Sequence, residues 1–420
     1  MKVQIQRSTV SGTVETVPSK SVSHRILIAG VLSGNHPQDM TVPINSLDMI
    51  ATKTCMTNMF EALQSSQAEV VLPCGESGST FRFLIPIVSA LGLNGIYPLE
   101  GRLANRPLTG YYEELTAHGC KLSPQGSNPF TSHGKLVSGV YTLPGDISSQ
   151  FITGLLLALP ILHGDSELRV TGTLESRPYV DITLQVLKKA GIKIGEEGNV
   201  FKIQGNQVYR LPAETATEGD WSNHAFWFSY GALTGQAVTS EHMNLDSAQG
   251  DKKILHILER FGATVTCAGP RENATVTVQG GPGKLKGIDI DAKDIPDLVP
   301  VLSAVAAGAE GRTTIRNAER LKLKESDRLE STGTILRQLG ATIEILPDGF
   351  VIDGQSTLPG GATVDSYNDH RIAMTAAVAA GICENPIEIT TAQAVRKSYP
   401  SFYEEYKKLG GTVEISEASE

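Results

Sequence analysis

Six short apolar segments, each closing at a glycine, recur along the chain at a nearly constant interval. They are ILIAGVLSG, FLIPIVSALG, FITGLLLALPILHG, HAFWFSYGALTG, LVPVLSAVAAG and RIAMTAAVAAG, ending at Gly34, Gly92, Gly164, Gly235, Gly308 and Gly381. Subtracting successive positions gives spacings of 58, 72, 71, 73 and 73 residues. A second mark follows five of the six: a helical stretch, a glycine turn, then a strand-like run. It reads YYEELTAHGCKL, LQVLKKAGIKI, ILHILERFGATVT, ILRQLGATIEI and FYEEYKKLGGTVEI, with turns at Gly119, Gly191, Gly262, Gly340 and Gly410. The first copy, with FEALQSSQAEVVL, lacks that glycine and is the poorest. Glycine just past an apolar helix is a C-cap signal, because it enters the left-handed region without a Cβ penalty. ATVT and TIEI have the β-branched character of strands. A period of about 70 residues is too long for a solenoid repeat and reads as a repeated α+β subdomain. Six copies in two groups of three predict two similar domains, which suits 420 residues, more than one ordinary core covers.

Composition narrows the partners. The chain is 40 % hydrophobic and 19 % charged, enough apolar matter for sizeable cores, and its formal net charge is −9. That balance argues against a general nucleic-acid or anionic-membrane binder, so any basic cluster is a local site on an acidic body. The start MKVQIQRSTV has no apolar signal-peptide core, and no apolar run approaches the ~18 residues of a membrane span. Five cysteines, Cys55, Cys74, Cys120, Cys267 and Cys383, are scattered and form no C-x-x-C. They suit a reducing cytoplasm and offer neither a disulfide framework nor a zinc site. No metal-ligand cluster or nucleotide motif is present, so no cofactor is expected.

Polar residues recur just before the first helix of every copy: PSKSVSHR, CGESGSTFR, PGDISSQF, EGDWSNHA, KDIPDLVP and YNDHRIAM. In a repeat that only builds cores these would be generic caps. Each differs, however, and each is rich in groups that bind anions or move protons. A helix start carries partial positive charge and prefers Ser and Asp caps with acidic neighbours. Lys20 and Arg25 in one first turn are unfavourable there unless something anionic sits between them. Convergence of the six starts would make a positive focus between the domains for a highly charged ligand.

The strings SGSTFR, NRPL, SSQF, SRPYVDIT, IPD, KESDRL and YNDHRIAM, from PSKSVSHR through to VRKSYPSF, resemble in order those of the 5-enolpyruvylshikimate-3-phosphate synthase family. The resemblance covers nearly the whole chain. It implies an α/β (α+β) fold of two similar domains, each of three strand–helix subdomains with threefold pseudo-symmetry, and an active site in the cleft between them. It further implies a chain that crosses twice, near Pro18 and Asp220. Residues 1–18 then join 221–420 in a discontinuous domain, and 19–220 form an inserted one. The implied activity is transfer of the enolpyruvyl group of phosphoenolpyruvate to shikimate 3-phosphate, in the cytoplasm, by a monomer with small-molecule substrates and no nucleic acid, membrane or cofactor.

By the same resemblance phosphoenolpyruvate falls to Lys20, Gly78, Arg106, Gln150, Arg328, Arg371 and Lys397. Guanidinium is the natural clamp for its carboxylate and phosphate. Gly78 in ESGST either lets the backbone approach the ligand or makes an ordinary tight turn. Arg82 either serves the ligand or holds that loop. Shikimate 3-phosphate falls to Lys20, Ser21, Arg25, Ser148, Ser149, Gln150, Ser176, Tyr179, Asp297 and Lys324. Ser148 and Ser149 double as N-cap serines, and Tyr179 offers a flat face to the ring or to the core.

The implied reaction is addition then elimination. A substrate hydroxyl attacks the central carbon of phosphoenolpyruvate while the methylene is protonated, and the tetrahedral intermediate then loses phosphate. Asp297 is the expected base for the hydroxyl, and Glu325 and Lys20 are the groups for proton transfer at the methylene. If KESDR is helical, Lys324 and Arg328 form a like-charge i,i+4 pair around Glu325. Asp369 and His370 flank Arg371 and are expected to orient it, and His24 reads as a neutral loop histidine.

Three departures from the family pattern touch outlying contacts: Glu76-Ser77 before Gly78, Arg320, and Leu47 in NSLDMI. Two rivals remain. A UDP-N-acetylglucosamine enolpyruvyl transferase of the same fold carries a reactive Cys before an Arg-Pro, where this chain has Leu103, Ala104 and Asn105 before Arg106. A non-catalytic anion-binding protein on the same repeat would need neither Asp297 nor Glu325. Glyphosate, which resembles phosphoenolpyruvate in charge, is expected to compete at the Gly78 pocket.

Overall fold

The computed structural model of the chain describes residues 1–417. Among them, five four-stranded sheets follow one plan. In the clearest copy, strand Val140–Pro144 leads into helix Ser149–Ala158 and then into strand Ser166–Thr171, which pairs in parallel with the first. Helix Arg177–Lys189 follows, and then the hairpin Ile194–Glu197 with Val200–Ile203. Its second strand returns antiparallel against Ser166–Thr171, with Phe201 opposite Leu168. Alternation decides the faces: Leu168 and Val170 point inward, while Glu167 and Arg169 do not.

The two helices of each copy differ in kind. The first is apolar nearly all round and is buried on nearly every face, as in Ser149–Ala158, Val299–Ala307 and His370–Ala379. The second is amphipathic; Arg177–Lys189 buries only Val180, Ile182, Thr183, Val186 and Leu187. A polar motif ahead of a first helix is therefore held on a rigid core element.

The glycine marks divide into two roles. All five turns after second helices are left-handed, with φ from +77° at Gly191 to +107° at Gly262. After first helices only Gly34, Gly92 and Gly235 are left-handed. Gly308 and Gly381 are needed for space instead: an added Cβ would stand 2.3 Å from Leu233 Cδ1 and 2.7 Å from Thr234 Cγ2.

The described chain divides into two compact units, Met1–Ser19 with Glu218–Glu420, and Lys20–Thr217. In the discontinuous unit the buried helices Trp221–Thr234, Val299–Ala307 and His370–Ala379 pack on one another. One of its copies is interrupted: strand Gly12–Val14 pairs in parallel with Val238–Met243, and the other unit is inserted ahead of helix Trp221–Thr234. The chain leaves and returns side by side. Pro18 bridges to Gly219, and Ser19 N donates to Glu218 O at 2.8 Å. In another copy strand Lys2–Gln6 lies between Ile387–Thr390 and Thr412–Ser416, antiparallel to both. The inserted unit holds two complete copies. Its first, poorest copy has helices Lys20–Leu32 and Leu47–Gln64 and, among the described residues, no four-stranded sheet of its own.

Candidate active site

In the inserted unit the start of helix Lys20–Leu32 is not an isolated pair of cations. Lys20 Nζ stands 2.8 Å from Asp48 Oδ2, and Ser46 caps the next helix by accepting from Met49 N. The Leu47 side chain at the substituted position of NSLDMI is exposed. Arg25 is buried and donates through Nε to Thr183 Oγ1 at 2.8 Å, through Nη1 to Ser21 O at 2.6 Å and through Nη2 to Tyr179 O at 3.1 Å. Burial pulls its guanidinium down to about 9, so it is still charged at neutral pH.

His24 is buried within this helix rather than placed in a loop, because both its neighbours face the core. Burial, then Lys20 and Arg25, hold it well below its ordinary value, so it is neutral. Its Nδ1 is 2.7 Å from Thr52 Oγ1, which is 2.6 Å from Thr80 Oγ1, which is 2.6 Å from Ser77 Oγ. That chain of hydroxyls ends on the N-cap of helix Gly78–Ala90.

Gly78 opens that helix with the Arg106 guanidinium against it. A Cβ at Gly78 would lie 2.5 Å from Arg106 Nη1 and 3.1 Å from its Cζ. Arg82 donates to Gln150 Oε1 at 2.7 Å and to Pro107 O at 3.1 Å, and lies over the Phe151 ring. Gln150 in turn donates to Ser79 Oγ at 2.9 Å. Ser148 caps helix Ser149–Ala158 by accepting from Gln150 N. Ser176 is buried in the left-handed region, φ +53°, one residue before the helix carrying Tyr179. This unit therefore joins Gly78 with Arg106, Gln150 with Arg82, and Arg25 with the segment of Ser176 and Tyr179.

In the discontinuous unit the central group is Arg328, 1 % exposed. Its Nε is 2.8 Å from Asp369 Oδ2, Nη1 2.9 Å from Asp297 Oδ1 and Nη2 2.7 Å from Glu325 Oε2. Burial alone would lower this guanidinium, but Asp369, Glu325 and Asp297 together hold it well above its ordinary value. Lys324 Nζ is 3.5 Å from Asp297 Oδ1, and Arg371 Nη2 is 3.4 Å from Asp297 Oδ2. Lys397 is buried and donates to Asn368 O at 2.7 Å. Tyr367 and Asn368 both have φ of +54°, a strained pair of non-glycine residues beside that contact.

One expectation about this cluster needs correcting. KESDR is not helical: helix Arg328–Gln338 begins at Arg328, and Asp327 caps it by accepting from Leu329 N and Glu330 N. Lys324 lies in extended backbone, so no i,i+4 pair forms. The Asp369 carboxylate serves both arginines: its Oδ1 accepts from the Arg371 backbone N–H at 2.9 Å, and its Oδ2 lies 2.8 Å from Arg328 Nε. Sequence reasoning also missed Asp251. It is buried at the turn Gly250–Lys253, where the Ser222 hydroxyl donates to its Oδ2. Its SAQGDK context carries no signal, since burial there comes from tertiary packing. Among the described residues no group of His, Cys, Asp and Glu is arranged to hold a metal ion.

A cationic, carboxylate-lined set at the starts of repeated buried helices is the design of an anion-handling transferase, and comparison with known proteins gives it a family. The chain shares its fold with the EPSP synthase of Acinetobacter baumannii (TM-score 0.78, 24 % identity, 99 % of this chain and 100 % of that one). It also shares the fold with the enolpyruvyl transferase NikO of Streptomyces tendae (TM-score 0.76, 17 % identity, 100 % and 99 %). The family model for EPSP synthase (3-phosphoshikimate 1-carboxyvinyltransferase) matches residues 5–406. Curated 3-phosphoshikimate 1-carboxyvinyltransferases of Clostridium kluyveri and Clostridium acetobutylicum are 40 % and 39 % identical, each over 98 % of both chains. The chain belongs to the EPSP synthase family.

Proposed function

We infer that the protein transfers the enolpyruvyl group of phosphoenolpyruvate to the 5-hydroxyl of shikimate 3-phosphate, releasing phosphate, as a step of aromatic amino acid biosynthesis. The observation that carries this is the full-length family match, with relatives of the same activity at about 40 % identity. The Asp297, Glu325 and Arg328 cluster supports a catalytic rather than a merely anion-binding role. Phosphate release from phosphoenolpyruvate, measured with shikimate 3-phosphate and separately with UDP-N-acetylglucosamine, tests it. Release with the second acceptor alone overturns the reading, and release with neither favours a binding protein.

In this reading Asp297 takes the proton of the attacking hydroxyl, and Glu325 and Lys20 move the proton at the methylene carbon. Arg106, Arg328, Arg371, Lys397, Lys20, Gln150 and the Gly78 backbone hold phosphoenolpyruvate. Ser148 and Ser149, at a helix start, suit the phosphate of shikimate 3-phosphate. Lys20, Ser21, Arg25, Gln150, Ser176, Tyr179, Asp297 and Lys324 complete its recognition. We take the domains as 1–18 with 221–420, and 19–220; the compact units, which divide instead at Ser19/Lys20 and Thr217/Glu218, support this discontinuous arrangement to within about three residues. We take the protein to be a cytoplasmic monomer, which five free thiols suit. Light scattering at micromolar concentration checks the mass.

Gly78→Ala is expected to raise the KM for phosphoenolpyruvate roughly 10- to 100-fold, the ~1.5–3 kcal/mol of a hydrogen bond to a charged group. The new methyl meets the end of the Arg106 side chain rather than backbone, so the guanidinium moves while the helix stays. Inhibition by glyphosate, if it uses the same cation, weakens too. Alanine is also the better helix former, so the melting temperature should hold. A variant with unchanged KM for phosphoenolpyruvate would remove Arg106 from the phosphoenolpyruvate site.

A further inference from the structure

The segment that carries Arg106 is shaped from outside itself. Leu103–Asn105 make one 3-10 turn, Arg106 is extended, and helix Thr109–Ala117 follows with no side-chain cap at Leu108. Gln125 lies in the loop of the hairpin formed by Lys121–Leu122 and Phe130–His133, and its amide binds this segment at three points. Its Nε2 donates to Ala104 O at 2.8 Å and to Arg106 O at 2.9 Å, and its Oε1 accepts from Leu108 N at 3.1 Å. Both amide protons are thereby used, and the Leu108 N–H settles which end of the amide is oxygen. The loop is itself anchored. Asn128 binds Leu99 twice, accepting from its N–H at 2.9 Å and donating to its O at 2.7 Å. Tyr112 Oη donates to Ser123 O at 2.7 Å, and Ser123 Oγ accepts from Thr131 N at 2.8 Å. Gln125 is an exposed residue. Three bonds to backbone thus order a surface side chain that would otherwise keep its rotamer freedom.

The Arg106 side chain has less to hold it than its backbone does. Its Nε is buried with no hydrogen-bond partner among the described residues, and its guanidinium lies against Gly78 at the start of helix Gly78–Ala90. A long side chain in that condition takes its direction from its own Cα–Cβ bond, and so from the backbone that Gln125 grips. We propose that Gln125 is a positioning residue for Arg106: by bonding the chain before, at and after this residue, the amide fixes the guanidinium at Gly78 and so sets the affinity for phosphoenolpyruvate. The inference rests on the reading that Arg106 binds phosphoenolpyruvate. Arg82 also holds the segment, donating to Pro107 O at 3.1 Å, so loss of the amide loosens the segment without unfolding it. A cation that grips the substrate alike before and during reaction contributes to KM and leaves kcat unchanged.

The test is a double-mutant cycle on the full chain: wild type, Gln125→Met, Arg106→Gln and the two together. The KM for phosphoenolpyruvate and kcat are measured at saturating shikimate 3-phosphate. Gln125→Met keeps the length of the side chain and removes all three bonds. It is expected to raise KM about tenfold, inside the ~10²-fold that a 1 Å misplacement can cost, with kcat within about threefold of wild type. If Gln125 acts through Arg106, the same change made on Arg106→Gln should add less than about twofold, because residues acting as a unit are not additive. A residue that only stabilises the loop would add its full increment in both backgrounds. Gln125→Ala, run through the same cycle, decides the matter if the methionine variant does not fold. An unchanged KM in the Gln125 variant, or a full increment on top of Arg106→Gln, overturns the proposal. Arg106→Gln alone separates the two levels. If it leaves KM unchanged, the placement of phosphoenolpyruvate at Arg106 fails and the proposal with it. If it raises KM while the Gln125 variant stays at the wild-type value, the proposal alone fails.

Discussion

Asp297→Asn is expected to slow turnover by ~10²-fold or more, the scale of a lost general base, while shikimate 3-phosphate binds within about tenfold of wild type. Three cations converge on this carboxylate: Arg328 at 2.9 Å, Arg371 at 3.4 Å and Lys324 at 3.5 Å. An amide keeps the shape and can still accept from Arg328, but it cannot take a proton from an attacking hydroxyl. Arg328 retains Asp369 and Glu325, so the fold should survive the change. Steady-state rates with a calorimetric binding measurement check both halves. Near-normal turnover would remove Asp297 from the chemistry.

The second large effect is on stability. Arg328→Met should cost ~3–5 kcal/mol, the range for removing one partner of a buried ionic cluster. The methionine fills similar space but leaves Asp369, wholly buried, facing Asp297 and Glu325 with their shared cation gone. For a unit of this size that corresponds to a fall in melting temperature of about 10 °C. The deficit should depend on pH. Carboxyls without their cation bind protons more readily in the folded variant than in the unfolded chain, so stability is gained as they protonate and lost as pH rises through their raised values. The gap to wild type should therefore narrow from pH 7 toward pH 5. A loss that is the same at both values would mean that packing, not charge, is what Arg328 contributes.

Much of the architecture was legible because its marks are local. Apolar helices closed by glycine, then amphipathic helices closed by glycine, are read within a dozen residues. The left-handed turns at Gly119, Gly191, Gly262, Gly340 and Gly410 are the physical reason those residues recur. The site was legible as a set of residue types at helix starts, but not as a set of contacts. Lys324 and Arg328 pair only if KESDR is helical, whereas Asp327 and Glu330, three apart, form a helix-start signature that places the first turn at Arg328. Asp251 had no such signature. Its burial comes from packing on helix Trp221–Thr234, an element outside its own stretch of sequence.

The placement of residues 2–6 has a consequence for how the chain is made. That strand lies between Ile387–Thr390 and Thr412–Ser416, so it emerges from a ribosome long before either of its partners. At ~5–20 residues per second it waits roughly 20–80 s for its neighbours. The inserted unit, continuous from Lys20 to Thr217, has all its strands available long before then. Birth order thus runs from the middle of the molecule outward, with the discontinuous unit closing last. A strand that waits so long with both edges bare is an aggregation hazard. Lys2–Gln6 answers it by being five residues long and by turning Lys2, Gln4 and Gln6 to the solvent side, leaving only Val3 and Ile5 to be hidden.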